Sequence, residues 1–344
     1  MKKIIIIVIL ALIVAGAVAG AVVGGRYYND NRRANFSGDY VLYVYPDMSH
    51  EQILDSLESV VIRPRSLQRA FARMEVSDMM KPGRYVIEPS FTSIYVARML
   101  VFGWQTPQMM TLSGTIRKKD VLARKIASQM MVDSASVVHA LDSAEFLAAY
   151  GFTPENVFAM ILPDTYQMYW TASVKEIFDR FKKEYDRFWT PDRLEKAKQQ
   201  KLTPMQVSVL ASIVSGETLK TFEYPVIAGV YLNRYRKGMK LQADPTVAFC
   251  HDYTLDRILK KHLVVDSPYN TYKYKGLPPA PINVPPKACV DAVLNPDRHK
   301  YIYFCASPEF DGTHRFAVTY DEHLKNARAF QRALTARRKN QGGA

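Results

Sequence analysis

A lone glutamate, Glu217, is the residue of this chain with the clearest chemical potential. It lies three residues after Val214 and seven after Leu210, so it continues the apolar side of a predicted helix. Thr203-Pro204 predicts the start of that helix, because hydroxyl side chains cap helices and proline favours the first helical position. An unpaired carboxyl group among apolar side chains resists ionisation, which raises its pKa. The negative end of the helix dipole acts in the same direction, since Gly216 predicts that the helix ends near Glu217.

A carboxyl group that stays protonated near neutral pH is suited to one reaction in particular. It can act as the general acid that protonates the leaving oxygen of a glycosidic bond. The competing interpretation is a partly buried glutamate paired with one of the many Lys or Arg residues. The spacing of residues alone leaves both interpretations open.

Several polar residues downstream of Glu217 are candidates for binding a sugar. Asn233 faces inward on a predicted partner helix over 225–237, where its amide binds either an N-acetyl group or the neighbouring helix. Gln242, Asp244 and Thr246 alternate, which places them on one side if the segment is extended. Asp244 has two further interpretations: the second carboxylate of a hydrolase, or a structural cap.

Aromatic and amide side chains alternate in a second downstream segment. Tyr269, Asn270 and Tyr272 offer stacking faces and hydrogen-bonding groups, a combination suited to sugar rings. The alternative is an Asn-centred turn packed by tyrosines. Two histidines, His314 and His323, lack the spacing of a metal pair, so the sequence predicts no metal site.

The first residues of the chain predict a membrane anchor. Lys2-Lys3 is followed by twenty uncharged residues, 4–23, which is enough helix to cross a bilayer. We expect contact with the membrane over 4–24, and an anchor domain over 1–25. A cleaved signal peptide is the alternative, because Ala17-Val18-Ala19 has the small residues of a cleavage site. The charges do not settle orientation, since arginines follow the span as closely as lysines precede it.

Composition narrows the class of protein. The chain has 344 residues, 48% hydrophobic and 23% charged, which is typical of a globular protein with room for two domains. Its net charge of +13 favours anionic partners. No basic-aromatic nucleic-acid motif is present, so we expect no nucleic-acid partner. The three cysteines, Cys250, Cys289 and Cys305, are too few for a disulfide framework and are expected to be buried thiols.

Patterning along the chain predicts an α+β protein with a single N-terminal transmembrane helix, a small α+β module and a mixed α+β catalytic domain. The expected divisions are a linker over 26–38, the module over 39–108, the catalytic domain over 109–335 and a basic tail over 336–344. Helices are expected over 133–150 and 320–330, and a buried strand over 301–306.

A set of separate motifs resembles one known family, the endolytic murein transglycosylases (YceG-like proteins). The motifs lie in the family's order, most closely over about 110–330: Leu162-Pro163-Asp164-Thr165-Tyr166, Leu210 to Val214 with Glu217-Thr218, Ala228 to Arg234, Gly238 to Thr246, Ser267 to Tyr272, Gly276-Leu277-Pro278-Pro279, Tyr301 to Phe304, Gly312…His314…Phe316 and Tyr320…His323. Two positions depart from the family pattern. Ser215 stands where many members have a second glutamate, and residues 280–285 replace the usual Gly-Pro-Ile and Asn-Pro elements.

The resemblance implies an enzyme that cleaves the β-1,4 bond between N-acetylmuramic acid and N-acetylglucosamine inside nascent glycan strands, leaving 1,6-anhydro ends. It places the catalytic glutamate on Glu217, with Thr218 beside it, and implies no cofactor. It also implies a LysM-like module over 39–108, an N-terminus in the cytoplasm, a catalytic domain outside the inner membrane, and partners among wall-synthesis proteins. Alternatives are a catalytically silent peptidoglycan-binding scaffold and a hydrolase of the same bond. A lyase using pyridoxal phosphate fits poorly with the membrane span.

Overall fold

The computed structural model describes residues 2–341. Its first element is one continuous helix, α1 (Lys2–Asn31). Within residues 2–341 it is the one helix long and apolar enough to cross a membrane, with a mean hydropathy of 3.1 and its apolar window wholly exposed. The helix therefore agrees with the predicted span, while its length and composition suit an anchor and a signal sequence alike.

The predicted linker over 26–38 takes a different form. Residues 26–31 are the last turns of α1, and the segment that follows makes β-bridges from Ala34 to Thr92 and from Phe36 to Val61. Phe36 is buried, and the Asn35 amide donates to Ser93 Oγ at 2.8 Å. Polar composition predicted a linker, but the side chains of Asn35 and Phe36 attach this segment to the folded chain.

The chain divides into two compact units. Unit 1 comprises the residues up to Met110 with 129–131 and 167–172. After α1 its elements are β1 (Tyr40–Val44), α2 (His50–Leu57), α3 (Pro64–Arg73), α4 (Val76–Met79), β2 (Gly83–Ile87) and α5 (Ser93–Phe102). β1 and β2 are antiparallel, with Leu42 opposite Tyr85. Both side chains are buried in a core that the inward faces of α2, α3 and α5 complete.

Unit 2 comprises 111–128, 132–166 and the chain from Ser173 onward. Its helices are α6 (Lys119–Ala127), α7 (Ser134–Asp142), α8 (Ala144–Ala148), α9 (Val174–Phe188), α10 (Pro191–Gln199), α11 (Pro204–Glu217), α12 (Tyr224–Arg236), α13 (Asp244–Cys250), α14 (Lys287–Leu294) and α15 (Tyr320–Gln341). Strands β5 (Tyr303–Ala306) and β6 (His314–Ala317) are antiparallel partners. Strands β3 (Gln108–Thr111) and β4 (Thr165–Met168) also pair, and each has residues assigned to both units.

The structure corrects three predicted elements. The helix expected over 133–150 is two helices, α7 and α8, because Ser143 leaves the helical conformation and caps α8. The strand expected over 301–306 begins only at Tyr303 and is partly exposed. The last helix continues past 330 to Gln341, so 336–341 is helical; residues 342–344 of the predicted tail lie outside the described residues.

Candidate active site

The candidate site is built on α11, a deeply buried helix of unit 2. Thr203 caps it as predicted: its hydroxyl accepts from Gln206 N, the Gln206 side chain accepts from Thr203 N, and Pro204 follows. Every residue from Val207 to Val214 is buried, so the helix is enclosed on all sides instead of along one stripe. It packs against α12 and α14. This packing holds Glu217, its last helical residue, at a fixed place.

Glu217 lies at the inner wall of an open cavity of about 530 Å³. Its Oε1 accepts a hydrogen bond from the hydroxyl of Tyr231, a fully buried side chain of α12. Burial raises the pKa of Glu217 to about 8, the Tyr231 hydrogen bond opposes that rise, and the negative charge of Asp244 adds to it. The cavity leaves the residue partly open to solvent, so a ligand can reach a carboxyl group that is protonated at neutral pH.

Asp244 is the second carboxylate of the cavity. It is exposed, and its Oδ1 accepts from the Tyr272 hydroxyl at 2.6 Å. Burial and the neighbouring Asp244 raise the pKa of Tyr272, so this phenol remains a donor. The two carboxyl groups therefore occupy different environments, one buried and one solvated. That is the arrangement that separates an acid from an ionised group.

A buried arginine shapes the cavity beside these groups. Arg234 Nε donates to Lys240 O at 3.0 Å and its Nη1 donates to Ile302 O at 3.1 Å, while Nη2 donates to the Gln242 side chain. Its guanidinium lies 5.7 Å from the ring centre of Tyr303. Arg234 therefore joins α12, the turn before α13 and β5 into one wall.

A buried carboxylate behind the cavity orients a histidine. Glu223 accepts from His314 N at 2.8 Å, from His314 Nδ1 at 2.9 Å and from the Thr218 hydroxyl at 3.0 Å. The contact at Nδ1 fixes the orientation of the His314 ring and leaves Nε2 for another partner. His314 lines the Glu217 cavity. Glu223 directly precedes α12, but its side chain makes no capping hydrogen bond there and binds His314 instead.

The structure brings four of the predicted site residues to one cavity: Glu217, Gln242, Asp244 and Tyr272. Residues 242–246 are not extended as expected, because Gln242 has a φ of 52° and a helix begins at Asp244. Pro245 at its second position favours that helix. Thr246 is consequently buried on another side, where its hydroxyl lies 2.9 Å from that of Thr271.

The other predicted residues have structural hydrogen bonds or packing contacts. The Asn233 amide donates to the carbonyls of His299 and Tyr301 at 2.9 and 3.1 Å, on a different cavity. The Asn270 amide donates to two carbonyls of its own loop. Tyr269 packs on Phe249 with ring centres 4.5 Å apart. The Thr218 hydroxyl donates to Glu223. The side chains of these four residues do not line the Glu217 cavity.

Sequence reasoning assigned no role to several residues that line the cavity: Tyr231, Arg234, Tyr303, His314, Tyr320 and His323. Tyr231 had a usable signal, since it continues the buried side of α12 after Ile227 and a buried phenol needs a hydrogen-bond partner. His314 had none, because its partner Glu223 is 91 residues away.

The two departures from the family pattern meet in space. The Ser215 hydroxyl lies 3.0 Å from Asn283 Oδ1, and the Asn283 amide donates to Ser212 O at 2.8 Å. The segment 280–285 thus binds the back of α11, one turn before Glu217. The same segment also accepts from the Tyr253 hydroxyl at Ile282 O, and Val284 N donates to Ile116 O at 2.9 Å.

Among residues 2–341 no group of three or more His, Cys, Asp or Glu side chains could hold a metal ion. The three cysteines are free thiols, and only Cys289 is fully buried.

Comparison with known proteins shows which family has this architecture. The model of the YceG-like family matches residues 42–329, from β1 of unit 1 into α15 of unit 2. The chain belongs to this family. Two relatives named endolytic murein transglycosylase are similar: one from Bacillus subtilis (strain 168), 33% identical over 194 residues, and one from Streptococcus pneumoniae serotype 2 (strain D39), 26% identical over 171 residues.

These family relatives are longer proteins. The matches cover 56% and 48% of this chain but 49% and 31% of the relatives, so the chain spans at most about half of the length of each. A crystal structure of a YceG-like protein from Listeria monocytogenes matches with a TM-score of 0.56 at 26% identity. It covers 83% of this chain and 98% of that protein. Family membership therefore extends to both units.

Proposed function

We propose that this chain is a membrane-anchored endolytic lytic transglycosylase that cuts the β-1,4 bond between N-acetylmuramic acid and N-acetylglucosamine in nascent peptidoglycan. The observation that carries the proposal is Glu217: a carboxyl group with a pKa of about 8 at the inner wall of an accessible cavity. Family membership and the names of the two relatives support it.

One carboxyl group is sufficient for this reaction. Glu217 gives its proton to the glycosidic oxygen as the bond from that oxygen to C1 of the muramic sugar breaks. The C6 hydroxyl of the same sugar attacks C1, and Glu217 takes up the hydroxyl proton. No water is consumed, and the products are a 1,6-anhydro end and a new 4-hydroxyl. A pKa near working pH suits a group that acts first as acid and then as base.

The residues around Glu217 have supporting roles in this proposal. Tyr231 holds the carboxyl group in place, and Gln242, Asp244 and Tyr272 orient the sugars. Thr218 acts through Glu223, while Asn233, Thr246, Tyr269 and Asn270 maintain the surrounding fold. His314 offers Nε2 to the substrate.

A hydrolase of the same bond is the second candidate, because Asp244 lines the same cavity. Retaining and inverting glycosidases use two carboxyl groups. In that mechanism Asp244 would activate water or attack C1, and the product would be a reducing end. A silent scaffold would bind the strand and cut nothing.

We further propose that α1 anchors the chain in the cytoplasmic membrane with its N-terminus in the cytoplasm and unit 2 outside. Unit 1 would act as a LysM-like module that binds glycan, and wall-synthesis proteins would be partners. The strand, helices, strand and helix of unit 1 support a small binding module. Protease protection of tags at each end of the chain in intact cells tests the orientation.

The deciding experiment identifies products by mass spectrometry after the full chain is incubated with uncrosslinked glycan strands. We expect anhydro-muramic ends from the wild type, and a loss of at least about a thousandfold in Glu217→Gln, which removes proton transfer. The exposed Glu195→Gln is the matched control. Wild-type turnover by Glu217→Gln would refute the assignment; reducing ends that disappear in Asp244→Asn would establish the hydrolase.

A further inference from the structure

The end of α1 is fixed to unit 1 by a buried ion pair. The Asp30 carboxylate is fully buried; it accepts from Ser66 Oγ at 2.7 Å and from Arg69 at 2.5 and 3.0 Å, with Arg73 3.6 Å away. Ser66 and Arg69 belong to α3. A buried carboxylate requires such partners, so this contact joins the helix and the module as one body.

This rigid connection sets the height of unit 1 above a bilayer. The last aliphatic side chain of the apolar run is Val23, and α1 continues eight residues to Asn31, a rise of about 12 Å. The polar headgroup layer on each side of the hydrocarbon core is about 5–7 Å thick. Residues at the end of α1 are therefore within a Debye length, about 8–10 Å, of lipid phosphates.

Arginine is the main charged residue around the end of α1, at this distance from the bilayer. Six arginines surround the end of α1 and are called here the arginine collar: Arg26, Arg32, Arg33, Arg63, Arg69 and Arg73. Arg63 donates to Ala34 O, next to Arg33. Across residues 2–341 the ion pairs of the collar go to Asp30 alone, which leaves five positive charges uncompensated. Tyr27 and Tyr28, more than half exposed, lie between the span and the collar, as interfacial aromatic residues do.

We propose that the arginine collar binds the phosphate headgroups of anionic phospholipids. Guanidinium groups bind phosphate oxygens in pairs, which suits a collar made wholly of arginine. Juxtamembrane basic clusters are attracted to anionic leaflets in the same way. The proposal rests on α1 as a membrane anchor and is independent of the chemistry of Glu217.

The test uses the full chain reconstituted in nanodiscs of equal parts phosphatidylglycerol and phosphatidylcholine. Lipids retained by the protein after release are counted by native mass spectrometry. We expect the ratio of phosphatidylglycerol to phosphatidylcholine retained by the wild type to be at least about threefold above the equal bulk ratio, as expected for several guanidinium groups at an anionic surface. In Arg26→Gln/Arg32→Gln/Arg33→Gln we expect retention close to the bulk proportion. Among the residues that the structure describes, the side chains of Arg26, Arg32 and Arg33 make no hydrogen bond or ion pair, so we expect folding to be preserved.

The matched control removes three exposed arginines of α15, Arg328→Gln/Arg332→Gln/Arg338→Gln. It should retain lipid like the wild type. Equal retention by the wild type and the collar variant would overturn the proposal, and so would equal loss in the control, which would indicate a general charge effect. A chain that fails to stay in nanodiscs would refute the anchor instead, and transglycosylase activity measured on the same samples reports on Glu217 separately.

Discussion

The pKa of Glu217 is set by opposed influences of its neighbours. Burial and Asp244 raise it, and the hydrogen bond from Tyr231 lowers it. Burial places the phenol pKa of Tyr231 well above its usual value, so Tyr231 keeps the proton that it donates to Glu217. A phenol donor stabilises the carboxylate that forms after proton transfer. The two residues together keep Glu217 able both to lose and to regain a proton.

We expect Tyr231→Phe to shift the alkaline limb of the pH–activity profile to higher pH. The general acid is active when protonated, so activity falls as pH rises through the pKa of Glu217, about 8. Without the donor that pKa rises further, by about one unit. Initial rates (kcat/KM) between pH 5 and 10 measure the limb. Tyr235→Phe, on the same helix but outside the cavity, is the control; a limb that stays in place or moves downward would contradict the expectation.

Glu217 should also lower the free energy of unfolding at neutral pH. The pKa of Glu217 is raised from 4.5 to about 8 on folding, so its stabilising contribution is complete below pH 4.5 and is lost as pH rises to 8. Glu217→Gln has no such loss. We expect the variant to be more stable at pH 8, by on the order of 2 kcal/mol because partial solvent contact weakens the effect. Thermal unfolding at pH 4 and pH 8 measures this; an equal difference at both values would argue against a raised pKa.

At the scale of elements, the approach of α13 to α11 depends on a missing side chain. A Cβ on Gly216 would lie 2.6 Å from Pro245 Cβ and 2.8 Å from Pro245 Cγ, too close for any real contact. Gly216 thus allows the start of α13 to pass against the last turn of α11. This contact sets where Asp244 lies relative to Glu217.

We expect Gly216→Ala to displace the start of α13 and lower kcat about tenfold, a loss of about 1.4 kcal/mol in transition-state stabilisation. Overpacking should also cost about 1–3 kcal/mol of folding stability. Kinetics and chemical denaturation measure the two effects. Gly38→Ala, which meets open space, is the control. Unchanged kinetics in Gly216→Ala would mean that the position of Asp244 is unimportant.

Local signals in the sequence were sufficient for several elements and for the environment of Glu217. Thr203 and Pro204 mark the start of α11, and the spacing of Leu210 and Val214 predicts a buried environment for Glu217 that its raised pKa matches. The left-handed turn at Gln242 was not predictable, because a non-glycine residue with positive φ is uncommon. The remaining cavity walls arise from contacts between distant segments, such as His314 with Glu223, and no local pattern records them.

At the scale of the whole molecule, Asp30 connects the apolar helix with unit 1. We expect Asp30→Ala to destabilise unit 1 by about 3 kcal/mol, because it leaves the Arg69 guanidinium beside an apolar side chain. The segment 31–37 should then become sensitive to protease. Limited proteolysis and thermal unfolding of the purified chain measure both effects. The exposed Asp39→Ala serves as control, and equal protease resistance in both variants would show that Asp30 is not needed to hold the helix.

A helix that continues into a folded module without a hinge imposes its own tilt on that module. Transmembrane helices tilt when their apolar length exceeds the hydrocarbon thickness, and bilayers differ in thickness. Because α1 continues to Asn31 and Asp30 joins it to α3, unit 1 must lean by the same angle as the span. With α1 in a bilayer, lipid tail length would therefore alter the inclination of unit 1 with no change in its sequence or ligands.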